Sequence, residues 1–352
     1  MKYKYLKYLV KKEGVLPIHI ILEVTSACNA RCLTCFNWQK TDFKTEKRMS
    51  LGQFEKIFKS LKNLLWLSLT GGEPFLRDDL PEIIKLSMKY NDPEFVTTPT
   101  NCLLPDKVEK TVSDILVFYK KDLVITLSLD GIGDLHDKIR GVKGNFENFL
   151  ETYKKLKQVQ KKHKNLHIGV NTVVNSLNQE HFKEIYRYVK ENLDVESHTF
   201  EVMRGCSRSS DVKAPSIEFY KENKEFFKKI MKDKTYYKTD ISGLFMKAAK
   251  LCYHDISFEI AKQKKQLIPC YAGRLSAVID CTGNVYPCEL YKKFGNLNDA
   301  DFDFKKVWFS KEANQIRSEI KGKMCYCTHS CFQFVNTLFN PRLYPKLLKY
   351  LF

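Results

Sequence analysis

The chain has 352 residues, 43% of them hydrophobic, and carries 59 Lys and Arg against 41 Asp and Glu for a formal net charge of +18. That length and apolar content support a large core and exclude a disordered chain, and no run of about 18 or more apolar residues is present to form a transmembrane helix. The positive balance admits an anionic partner, but the lysines are interleaved with glutamates along most helical segments, the pattern of a solvated surface. The first residues, "MKYKYLKYLVKKEG", lack the apolar core and small-residue cleavage site of a signal peptide, so a cytoplasmic location is expected. There the twelve cysteines point to metal or redox chemistry rather than disulfides. They concentrate at 28–35 and 270–331, and Cys102, Cys206 and Cys252 between them read as buried small hydrophobes.

In chain order, 1–17 is a basic N-terminal segment. From 18 to 205 apolar, β-branched runs alternate with amphipathic stretches. Strands are predicted at 19–25, 64–70, 94–100, 123–130, 166–174 and 197–204, near-continuously apolar as if covered on both faces. "SLGQFEKIFKSLKN", with Ser50 as N-cap, and "NFENFLETYKKLKQVQKKH" read as helices between them. Six β-then-α units imply a parallel sheet with right-handed crossovers, either an open partial barrel or a doubly wound sheet. Both put ligands at the carboxyl ends of the strands. The chemistry-bearing residues do follow those ends: cysteines after the first, "GGEP" after the second, "TNC" after the third, "SLDG" at the fourth, Asn171 within the fifth and "MRG" after the sixth. Residues 206–263 are helical and charged, 264–335 are cysteine-rich with turn signals such as "CTGN", and 336–352 form a basic aromatic tail.

"TSACNARCLTCFNW" places Cys28, Cys32 and Cys35 as C-x3-C-x2-C. A tetrahedral zinc site wants four ligands. Three thiolates can instead hold a four-iron, four-sulfur cluster, which leaves one iron open to a small molecule. The motif, with "GGEP" at 71–74, "SLDG" at 128–131 and "HDKIRG" at 136–141, resembles the radical S-adenosylmethionine superfamily. That resemblance implies a partial (β/α)6 TIM-like barrel over 18–205. It also implies a [4Fe-4S] cluster on the three cysteines and S-adenosylmethionine on Gly71, Gly72, Glu73, Pro74, Ser128, Asp130, Arg140 and Asn171, with Val202 and Met203 at the adenine. In this reading the glycines let backbone approach the ligand, Glu73 accepts from the ammonium, and Arg140 forks onto the carboxylate. The chain departs from the family pattern at Thr34, where an aromatic is frequent and Phe36 follows instead, and at Cys102, which stands where "TNG" has glycine. The implied chemistry is one-electron cleavage of the sulfonium to methionine and a 5′-deoxyadenosyl radical, which takes a hydrogen atom from a substrate. Reduced flavodoxin or a ferredoxin-type protein would supply the electron.

Cys270, Gly283 and Cys288 are spaced C-x12-G-x4-C, and "MCYCTHSCF" adds Cys325, Cys327 and Cys331. Gly283 supplies a tight turn between two strands, so that the flanking cysteines meet at one end. The spacing resembles the SPASM or twitch extensions of radical enzymes, and having no further cysteine favours the twitch-like case with a second, auxiliary [4Fe-4S] cluster. Cys270, Cys288 and two of Cys325, Cys327 and Cys331 would hold it. Cys281 reads as structural, and His329 as a hydrogen-bonding neighbour rather than a ligand. A peptide or small protein is the leading substrate class, and a saccharide, lipid-linked or other envelope precursor is the rival. A non-catalytic iron–sulfur or zinc scaffold is the non-enzyme alternative, which the retained "GGEP" and "SLDG" speak against. The basic aromatic ends suit peripheral attachment to an anionic inner-membrane surface. No RNA-recognition motif is present, so no nucleic-acid partner is expected.

Overall fold

The computed structural model describes residues 3–41, 45–233 and 241–351. Met1, Lys2 and Phe352 of the two basic ends, and 234–240 of the predicted helical stretch, lie outside the described residues.

Six parallel strands follow the sequence expectation closely: β1 His19–Thr25, β2 Trp66–Gly71, β3 Phe95–Thr100, β4 Asp122–Ser128, β5 Leu166–Val174 and β6 Ser197–Val202. They lie side by side in chain order, each paired with the next, and the sheet does not close between β6 and β1. β7 (Ser276–Ile279) instead adds to the free side of β1 in parallel, and β8 (Asn284–Tyr286) and β9 (Gly295–Asn296) follow it antiparallel, giving the order β6-β5-β4-β3-β2-β1-β7-β8-β9. The cysteine-rich extension therefore shares a sheet with the barrel, and the boundary expected near 264 divides the chain but not the sheet.

The expectation of strands buried on both faces holds for β1 alone. In β3 and β4 buried residues alternate with half-buried ones. Val96, Ile125, Leu127, Ile168 and Val170 are packed in the main core. The opposite face carries Thr97, Thr126, Ser128, Asn171 and Thr199, with Ser128 in register with Asn171 and Asn171 with Thr199. Threonine and valine are both β-branched strand formers, so a polar inner face reads in sequence like an apolar one. β1 is covered on its inner side too, because Ile21 packs with Val278 and Phe332 of the extension.

Crossover helices seal the outer face. Leu51–Ser60 opens on the expected Ser50 cap, completed by Gln53 into a reciprocal capping box worth about 1 kcal/mol. Helices Ile217–Asp233 and Ile241–Gln263 occupy the predicted helical region. The basic ends fold inward: Tyr5, Tyr8 and Leu347 are buried in one apolar cluster with Ile260 and Phe339. These buried side chains serve the fold, while Leu6, Val10 and Leu348 stay exposed, and the expected membrane attachment is not supported. None of the described helices is long and apolar enough to cross a membrane.

Candidate cluster and cosubstrate site

The loop after β1 carries Cys28, Cys32 and Cys35, all free and partly buried. Backbone bonds clip it in place: Arg31 N–H donates to the Arg140 carbonyl at 3.2 Å, and Leu33 N–H to that of Ile139 at 2.9 Å. As free thiols all three titrate high because they are buried, with Cys35 pushed up to about 12 by burial and by Cys32 and Cys28. Binding iron as thiolates would relieve that crowding and release protons. Asn101 of "TNC" joins the site, its amide 3.8 Å from Cys28 Sγ and bonded to Asn29 Oδ1 at 2.7 Å.

The "GGEP" glycines are needed by a neighbour within the chain itself. A Cβ on Gly71 would lie under 3.0 Å from the Thr25 carbonyl oxygen, and one on Gly72 equally close to that of Ala27. The two glycines thus admit the cysteine loop's own backbone, and Gly71 also holds φ +127°. Glu73 is almost fully buried; its carboxylate accepts from Asn101 N–H at 2.7 Å and from Phe75 N–H at 3.3 Å. Burial pushes its pKa up to about 7 against the pull of those two donors. Glu73 therefore ties the second strand end to the third, a role that spacing alone did not reveal, and Pro74 is buried behind it. Cys102 keeps the left-handed backbone that a glycine would adopt, at φ +66°, with its side chain fully buried.

At the end of β4, Asp130 is fully buried. It accepts from Val173 N–H at 2.8 Å and from Arg140 Nη1 at 3.1 Å. The Arg140 Nε is buried and has no hydrogen-bond partner. Its guanidinium also lies close enough to Cys28 and Cys32 to lower both thiol pKa values. A buried guanidinium with an unused donor beside two of the three thiols fits an acidic ligand at the cluster. Asn171 and Ser128 stand in register at the half-buried inner ends of β5 and β4. Val202 is half-buried and Met203 buried at the end of β6. The structure brings these predicted residues to one end of the sheet.

The second cysteine group lies across the open side. Gly283 turns the β7–β8 hairpin at φ +86°. Cys270 lies near Cys288, Cys325 and Cys327, and Cys288 near Cys327. Burial raises each thiol first, and Cys325 then raises Cys270 while Cys327 and Cys270 raise Cys288. Cys331 is also raised by burial, and its charged neighbours are Glu201, Glu289 and Arg204. Cys281 is buried, as expected of a structural residue. His329 is no isolated ligand: its Nε2 lies 2.6 Å from Glu289 Oε2, and its N–H donates to Cys327 Sγ at 3.1 Å.

Between the two groups lies a cleft of about 190 Å³. Phe36, next to Cys35, lines one side; Glu289, next to Cys288, lines another; Glu23, Lys40, Tyr286 and Cys206 complete the wall. Cys206 is exposed, not the buried hydrophobe expected of it. Lys40 Nζ bridges Glu23 Oε2 at 3.0 Å and Asp280 Oδ2 at 3.4 Å. Burial pushes the Glu23 pKa up despite Lys40, while at Asp280 burial, the largest single effect, is overcome by Lys40 together with hydrogen bonds from Thr282 and Asn284, and the pKa falls. These cleft residues were missed in the sequence, although a lone glutamate inside "IHIILEVT" was a signal: an acid in a buried strand needs a partner.

Comparison with known proteins matches residues 22–189 to the Radical SAM superfamily and 270–332 to SPASM, an iron–sulfur cluster-binding domain. The antilisterial bacteriocin subtilosin biosynthesis protein AlbA of Bacillus subtilis (strain 168) is 24% identical over 294 residues, 83% of this chain. The chain spans only 59% of AlbA's length. A cysteine-type anaerobic sulfatase-maturating enzyme of Clostridium novyi (strain NT) is 27% identical, covering 80% of this chain and 77% of its own. The solved structure of native anSMEcpe with bound AdoMet and Cp18Cys peptide shares the fold, with TM-score 0.62, 18% identity and coverage of 95% and 99% of the two chains. The barrel, the three-cysteine loop and the cysteine-rich extension agree with these matches: residues 22–189 belong to the Radical SAM superfamily and residues 270–332 to the SPASM iron–sulfur cluster-binding domain.

Proposed function

We propose that this enzyme modifies a peptide or small protein by radical chemistry, with the reacting residue held in the cleft between the two cysteine groups. One observation carries the reading: the cleft is lined by the residue after Cys35 on one side and the residue after Cys288 on another. When bound, the open cluster and S-adenosylmethionine supply one-electron cleavage of the sulfonium and a carbon radical able to take an unactivated hydrogen. Cys28, Cys32 and Cys35 hold that cluster. Gly71, Gly72, Glu73, Pro74, Ser128, Asp130, Arg140, Asn171, Val202 and Met203 form the cosubstrate's surroundings, with Arg140 taking its carboxylate. Cys270 and Cys288, with two of Cys325, Cys327 and Cys331, hold the auxiliary cluster. A reduced flavodoxin or ferredoxin-type protein delivers the electron.

The peptide class is supported by the relatives' names: a bacteriocin biosynthesis protein, a sulfatase-maturating enzyme and a fold neighbour with a bound peptide. The test needs no known substrate. Holoenzyme is incubated anaerobically with a fully deuterated cell extract separated into peptide and non-peptide fractions, and 5′-deoxyadenosine is weighed by mass spectrometry. Deuterium acquired only from the peptide fraction is the expected result. Deuterium acquired only from the non-peptide fraction would overturn the peptide reading.

A further inference from the structure

One side chain outside both cysteine groups touches the residues next to each of them. Arg204 follows β6 in "MRG". Its Nη1 donates to Glu201 Oε2 on β6 at 3.2 Å, and its Nη2 to Glu289 Oε2 at 3.2 Å. The same Nη2 lies 3.0 Å from His329 Nε2, between Cys327 and Cys331. The guanidinium carbon sits 5.2 Å from the centre of the Phe36 ring, next to Cys35. Ser330, beside Cys331, donates its hydroxyl to Glu201. The Arg204, Glu289 and His329 side chains are 18%, 11% and 6% exposed, so the contacts are made largely away from water. The cosubstrate site described above makes no use of Arg204.

We propose that Arg204 is a positioning residue that locks the auxiliary cysteine loop to the cosubstrate-cluster loop, fixing the separation and orientation of the two clusters across the cleft. A guanidinium suits this because it is a planar fork: it meets carboxylates on different edges while its face lies on an aromatic ring. A lysine is a compact point charge on a flexible stem, with neither the planar fork nor the flat face that lies on the ring. Breaking one member of such a network leaves the others buried and uncompensated.

The inference rests on both cysteine groups carrying clusters, which iron analysis of the parent checks separately. The holoenzyme is reconstituted as parent, Arg204→Lys, Arg204→Gln and Glu201→Gln. Iron per chain, the spin–spin interaction between the two reduced clusters by electron paramagnetic resonance, and deoxyadenosine formed without added substrate are then measured. The expected result is near-parent iron, a changed spin–spin splitting in both Arg204 variants, and several-fold more uncoupled deoxyadenosine. Glu201→Gln should change both readouts in the same sense by less. A splitting in Arg204→Lys and Glu201→Gln identical to the parent's would show that charge alone suffices and overturn the lock, whether or not Arg204→Gln loads iron. About four irons in the parent would remove the auxiliary cluster and the proposal with it.

Discussion

Gly72→Ala should cost on the order of 3 kcal/mol and empty the first cluster site while leaving the second loaded. The cause is local. A Cβ at position 72 would collide with the Ala27 carbonyl, carbon and oxygen, and with the Ser26 carbonyl oxygen, all backbone atoms of the segment leading into Cys28. Backbone cannot rotate aside as a flexible side chain can, so either β2 or the cysteine loop must shift. The bonds most exposed to that shift are the Gly72 N–H to the Thr25 carbonyl at 2.9 Å and the Glu73 N–H to the Ala27 carbonyl at 2.8 Å. Iron analysis should fall from about eight to about four per chain, with a lower melting temperature. Full iron loading with an unchanged melting temperature would show that the loop is not held by this contact.

Arg140→Gln should weaken S-adenosylmethionine binding about 100-fold, the loss of roughly 2–3 kcal/mol that a charge-assisted pair supplies. Equilibrium binding to the reconstituted protein measures this directly. The substitution removes the Nη1 bond to Asp130 Oδ2 and the unpartnered Nε that the site otherwise leaves idle. It also leaves the Asp130 carboxylate buried with the Val173 N–H as its remaining donor from β5. A stability loss therefore accompanies the binding loss, and the melting temperature measured without S-adenosylmethionine reads it separately. Binding by Arg140→Gln as tight as the parent's would remove Arg140 from the cosubstrate site.

The sheet was legible because parallel strands in a barrel are long, β-branched and separated by amphipathic helices. All six predicted strands fall within two residues of the observed limits. The cysteine spacings were legible because each group is local in the chain. Residues that act across the fold were not. Glu73 looks in sequence like a ligand contact, yet its carboxylate bonds the Asn101 N–H, 28 residues away. Arg204 and Glu289 meet across 85 residues, and no periodicity encodes such a meeting. Cys206 was misjudged because a lone cysteine is most often buried, whereas Gly205 at φ +70° turns the chain over Phe36 and leaves the next residue at the cleft. The inner strand faces were misread because threonine and valine share a strand preference that hides the polarity of the barrel interior.

The most direct measurement is anaerobic. The purified chain is reconstituted with iron and sulfide, reduced, and given S-adenosylmethionine, beside a variant with Cys28, Cys32 and Cys35 all changed to Ala. The structure predicts about eight irons and 5′-deoxyadenosine in the parent, and about four irons and no deoxyadenosine in the variant. Deoxyadenosine formed equally by the variant, or a parent that loads eight irons and binds S-adenosylmethionine without ever cleaving it, would contradict a radical enzyme built on this loop.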